Sequence, residues 1–189
     1  MGVIEAAAAF VVWLGAALVV LADGRRGLAL GMGLLSAGFG VLEWASGQPV
    51  GAVAVFAGGM VGSARCWRSG ANWGLMPAGS TPRLVLCVAS ALVALWVAAA
   101  VTTGGGPQLR FAVLAALGLM GARVLMSREN AVVLTSVACF AIALAAAPGL
   151  GATSPGPGPA IIGGLIAAGV MFLPAMRPPA ALKGRVSGG

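Results

Sequence analysis

The residues able to do chemistry are few, and most are carboxylates. The chain holds four acids, Glu5, Asp23, Glu43 and Glu129, no histidine and three cysteines. Without histidine, bis-histidine haem, His-ligated metals and imidazole general acid–base catalysis are all excluded. Cys66, Cys87 and Cys139 form no CxxC pair and no metal-ligand spacing, and read as buried small apolar side chains. The glycine-rich pieces have neither the GxxxxGK[ST] pattern nor the strand–helix setting of a phosphate loop. No catalytic, cofactor-binding or metal-ligating constellation stands out, so no cofactor and no catalysis by this chain alone are expected.

Four charged positions are candidates for a proton path or a charge role: Glu43, Arg123, Arg128 and Glu129. An ionisable residue inside a membrane is costly, and is therefore a functional candidate by default. Glu43 stands in Val41-Leu42-Glu43-Trp44, near the end of an apolar run. As a proton-relay group it must be buried. With Trp44 beside it and the Gly47 break about one turn away, the expected state is a hydrated interfacial carboxylate. Arg123 lies about one turn inside the end of another run and is expected to snorkel to headgroups. Its alternative is to face the bundle and pair with Glu129 or a partner subunit. Arg128 and Glu129 read as a solvated turn. Glu5 and Asp23 lie near helix ends. Thr135 and Ser136 are expected to bond back to their own helix.

The elements that must position these groups are set by composition. Of 189 residues, 60% are hydrophobic and 8% charged, with a mean hydropathy of +1.03; a soluble domain carries about 25% charged residues. Lipid must therefore be the solvent. The net charge of +7 is scattered singly at loops, unlike the basic stripe of a nucleic-acid binder. The thirty-one glycines suit close helix packing, although GC-rich codon usage explains the same bias.

Seven apolar runs follow, at 4–22, 28–46, 50–66, 84–103, 109–126, 131–147 and 160–176. Charged or Gly/Pro-rich breaks separate them. The first lacks the basic n-region of a signal peptide and is read as a retained helix. Gly27-x-x-x-Gly31, Ser36-x-x-x-Gly40 and Gly58-x-x-x-Gly62 mark packing faces. The third and seventh runs are short, so a six-helix count with one re-entrant segment is the alternative. With seven crossings, ten of the eleven Lys and Arg fall on one side, and only Arg110 on the other. The positive-inside rule then places the N-terminus outside and the C-terminus in the cytoplasm of the cell membrane. The expected fold is an all-α polytopic transmembrane bundle of about seven helices arranged 3+1+3. Its parts are a first three-helix unit (1–66), a cytoplasmic loop and linker helix (67–108), a second three-helix unit (109–177) and a flexible cytoplasmic tail (178–189). An odd linker helix makes the two triplets parallel repeats, with the turns DGRRG and SREN in corresponding places.

The strongest local marker is LMSRENAVVL, Leu125 to Leu134. With the chain length, the N-out first helix and the basic first turn, it resembles component E of hydrogenase-4 and formate hydrogenlyase-type complexes. The last three helices in turn resemble the small K-type membrane subunit of complex I. Family members place an Arg-Asn turn between these helices, which Arg128 and Asn130 match with Glu129 interposed. The resemblance implies a membrane subunit partnered by other membrane subunits, between antiporter-like and hydrogenase-like or dehydrogenase-like modules. The K-type subunit carries intramembrane carboxylates in its second and third helices; the matching runs here have none. That departure implies a scaffold, with Glu43 the one remaining candidate for a proton path. The 3+1+3 layout also resembles the SWEET sugar transporters. Such a carrier needs polar midplane residues, and runs three and seven have no Asn, Gln, Tyr or acid at mid-depth.

Overall fold

The computed structural model of the chain describes residues 2–70, 81–101, 106–151 and 156–173. Among them are seven α-helices: α1 (Gly2–Leu21), α2 (Arg25–Ala45), α3 (Pro49–Arg68), α4 (Thr81–Ala100), α5 (Pro107–Met126), α6 (Asn130–Ala146) and α7 (Gly158–Val170). No strand is present among the described residues. Six helices are long and apolar enough to cross a membrane, α6 being extended to Leu150 by a 3-10 turn. The chain is a multi-pass membrane protein.

Local chemistry sets the helix ends. Pro49 and Pro107 open α3 and α5 where a missing N–H costs nothing. At the end of α2, Gly47 turns left-handed with φ 78°. Its N–H then reaches Trp44 O, and the Gln48 N–H reaches Glu43 O, each at 3.0 Å. This Schellman pair satisfies carbonyls that lipid could not. The seventh run is shorter than its apolar stretch suggests: α7 closes at Val170 and passes into a turn over 171–173. Pro174 follows, and the residue before a proline is pushed out of helical geometry. The rest of that run, the tail, and the loop carrying Trp73 and Pro77 lie outside the described residues.

With 13 residues, α7 is shorter than the other six helices. Ala160 lies beside Gly51, Gly164 beside Gly58, and Phe172 under Arg65. It therefore runs in the same direction as α3, alongside it from Gly51 to Gly62. Each helix of the first triplet touches its counterpart in the second: α1 with α5, α2 with α6, α3 with α7. The linker helix α4 sits outside this double layer, on α5 and α1. Only Cys87, Ala94 and Ala98 of α4 are buried, while Leu92, Val93, Leu95 and Trp96 face outward.

Small residues make the contacts. Gly15 and Gly31 bring the backbones of α1 and α2 together; a Cβ at Gly31 would lie 2.7 Å from Gly15 O. Ser36 and Gly40 both face α3, and Gly58 and Gly62 both approach α7. Ser63 donates to Ala29 O of α2 at 2.7 Å, and Trp13 Nε1 donates to Cys87 O of α4 at 3.3 Å.

Candidate functional site: a shared carboxylate at the basic end

The ends of α1, α3, α5 and α7 meet the starts of α2, α4 and α6 at one end of the bundle, which also carries most of the arginines. Asp23 lies there, in the turn between α1 and α2. Arg83 reaches it from the first turn of α4, with Nη1 2.9 Å from Oδ1 and 3.0 Å from Oδ2. Arg123 reaches it from the last turn of α5, donating through Nη2 to Asp23 Oδ1. The same Nη2 donates to Ala22 O at 2.9 Å. One carboxylate thus ties three elements: the α1–α2 turn, the linker helix and the second triplet.

The helices explain why Arg123 points inward. It continues the stripe Ala112, Ala116, Leu119 and Met120, the buried face of α5, at i+3 and i+4 spacing. Its side chain is 3% exposed, against 32% for Arg83 and 35% for Asp23. The contact with Ala22 O adds a cation to the negative end of α1. Asp23 in turn precedes the N-terminus of α2, where negative charge is favoured. The cluster carries two guanidiniums and one carboxylate.

Burial by itself raises the Asp23 carboxyl, but hydrogen bonds from Arg123 and Arg83, and then their charges, outweigh it and hold it below its ordinary value. A carboxyl held down in this way contributes stability above its unfolded value. That contribution is lost as pH falls through the folded value. Stability of the protein in detergent should therefore be level from neutral pH to about pH 5 and decline as pH falls below about 4. Thermal unfolding across that range checks this, with Asp23→Asn expected to flatten the acid limb. Superimposable acid limbs in the two proteins would remove Asp23 from the account.

Two expectations about this end are corrected. Arg123 faces the bundle, the alternative to snorkelling, but its counter-charge is Asp23, 100 residues away in sequence, rather than Glu129. The chain leaves α5 in extended geometry at Ser127 and Glu129, which carries Arg128 and Glu129 out to an exposed turn. Glu129 occupies the N-cap of α6 with no side-chain capping bond. Around the clamp lies a second girdle. Arg25 Nη1 donates to Ser69 O at 3.2 Å, Arg26 lies 5.4 Å over the Trp67 ring, and Cys66 Sγ donates to Arg25 O at 3.3 Å.

Elsewhere, Glu43 is largely withdrawn from water. It is 7% exposed, whereas Trp44 is 64% exposed. Successive helical residues differ by about 100°, so Trp44 faces outward while Glu43 continues the buried positions Ser36 and Phe39. At the same end of the bundle Arg110 is also buried and donates to Val101 O. Thr135 bonds back to Ala131 O at 2.8 Å, but the buried Ser136 Oγ has no such bond. All three cysteines are buried and free.

Asp23 and Arg83 are the members of this cluster that spacing in the sequence does not single out. A signal existed: Arg123, one turn inside a helix end, needs a counter-ion, and Asp23 and Glu129 are the acids on its side of the bundle.

Fold and site together define a class: an all-α, multi-pass membrane bundle with an ion cluster tying its turns at one end. No protein-family model matches the chain, and neither a curated protein nor a solved structure does.

Proposed function

We propose that this protein is an integral membrane subunit of a larger respiratory, hydrogenase-like or antiporter-like complex, acting mainly as a scaffold. It would sit in the cell membrane with its N-terminus outside and its C-terminus in the cytoplasm, as the sorting of Lys and Arg implies. The observation that carries this reading is the Asp23–Arg83–Arg123 cluster. Its charges tie helices to one another. The outward apolar face of α4 suits contact with lipid or with further membrane helices. Any share in proton translocation would fall to Glu43.

A SWEET-like carrier has less in its favour. It needs polar groups at mid-depth between its halves. Here α3 and α7 meet there through Gly58 and Gly164, backbone against backbone. An apolar groove of about 510 Å³ lies instead between α1, α4 and α5 and is lined by residues such as Phe10, Trp13, Leu95 and Phe111.

Purification in a mild detergent, followed by native mass spectrometry, should give the chain in stoichiometric association with other membrane proteins. A homogeneous species containing this chain alone, from membranes solubilised several ways, would sink the proposal.

A further inference from the structure

The end of the bundle opposite the basic cluster holds a second feature that the scaffold role does not use. We propose that Glu43 and the cleft beside it form a binding site for one monovalent cation, H⁺ or Na⁺, reached from the aqueous phase at that end.

The site is built from the α2–α3 turn. Glu43 is 7% exposed, and its carboxyl has no hydrogen bond or ion pair among the described residues. Such a carboxyl in an apolar bundle needs a neutralising partner. It is held against Gly51: a Cβ added there would lie 3.3 Å from Glu43 Oε2 and 3.1 Å from Ala160 Cβ. Gly51 also lines an open cleft of about 290 Å³, together with Ser46, Gly47, Gln48, Pro49 and Pro157. Gly51 is thus the shared wall between the buried acid and the cleft. A water occupies about 30 Å³ of liquid, so the cleft has room for a small ion with part of its hydration shell.

The chemistry of the lining selects the ligand. Ser46 Oγ donates to Leu42 O at 2.8 Å, which leaves its lone pairs free to accept. With the Gln48 amide oxygen it offers the hard oxygen ligands that alkali cations take. Glu43 is the carboxylate beside the cleft. Among the described residues, α3, α6 and α7 bring no charged side chain to this end; α1 brings Glu5 in its first turn, and α5 brings Arg110. A single carboxylate neutralises a single positive charge.

Dicyclohexylcarbodiimide, an apolar reagent that modifies protonated carboxyls within membranes, tests this on the intact protein in liposomes. Peptide mass mapping separates Glu43 from Glu5, Asp23 and Glu129. Labelling of Glu43 should fall at least fivefold either when Na⁺ replaces choline at constant pH and ionic strength, which assigns a Na⁺ site, or only as pH rises from 5.5 to 8.5, which assigns a proton site. Gly51→Ala, which crowds the carboxyl without removing it, should shift the midpoint of whichever dependence is found. Absence of Glu43 labelling across the whole range, or labelling indifferent to both Na⁺ and pH, overturns the proposal. Neither outcome depends on whether partner subunits exist.

Discussion

Replacing Asp23 with alanine should destabilise the bundle by about 1–3 kcal/mol, less than the loss of a partner in a fully buried ion pair because Asp23 is 35% exposed. The reason is what remains. Arg123 is 3% exposed and would keep its charge with only the Ala22 carbonyl as a partner. Arginine does not relieve such a site by giving up its proton. Arg83→Ala should cost much less, about 0–1 kcal/mol, because its guanidinium is a third exposed and already hydrated. Arg123→Ala should fall between these two, since Asp23 keeps Arg83 and water. The pair Asp23→Ala with Arg123→Met should recover much of the single loss, because an apolar side chain of similar length replaces the stranded charge. Unfolding by SDS titration of the four proteins in mixed micelles reads this order. If Asp23→Ala proved no worse than Arg83→Ala, the buried part of the cluster would carry no stability.

Gly58→Leu should release α7 from the bundle, with an unfavourable change of at least about 1–3 kcal/mol from overpacking. A Cβ at Gly58 would lie 2.6 Å from Gly164 C and 2.7 Å from its Cα, so even alanine forces the backbones apart. Nothing large compensates on α7, where the buried residues are Ala160, Gly163, Gly164 and Ala167. In lipid the association of such a helix depends on close van der Waals packing, because lipid tails solvate apolar faces as well as another helix does. The loss should therefore be local. Hydrogen exchange should rise across α7 while the contacts of α1 with α2 stay protected. Gly169→Ala is the matched control. Nothing lies within 4 Å of the Cβ it would add, and its effect should stay within about 1 kcal/mol. Equal effects of the two substitutions would show that α7 is held by something other than this contact.

The faces of these helices were much harder to read than their existence. An amphipathic helix announces its buried side through the spacing of apolar residues. In α5 and α6 nearly every side is apolar, so spacing does not distinguish the face toward neighbouring helices from the face toward lipid. Glu43 shows the consequence. Its sequence neighbours, Trp44 and the Gly47 turn, argue for the interface, yet a rotation of one residue separates an exposed Trp44 from a buried Glu43. Arg123 shows the same for partners. Glu129 is close in sequence, while Asp23 lies 100 residues away and forms the contact. The packing motifs fared better, because glycine and serine at four-residue spacing mark one side of a helix whatever surrounds it. Gly58 and Gly62 both approach α7, and Ser36 and Gly40 both face α3.

By itself, then, the sequence determined the solvent, the helix class, the runs and the crowding of positive charge at alternate turns. These follow from local quantities: apolar length against bilayer thickness, the turn chemistry of glycine and proline, and the placement of arginine. Only the tertiary structure decided which charges meet. It set Asp23 between Arg83 and Arg123, and turned Glu43 inward against Gly51. The physical reason is that an ion pair depends on distances of a few ångströms between distant segments. Those distances come from how backbones pack across glycine contacts, which no local pattern in an evenly apolar chain encodes.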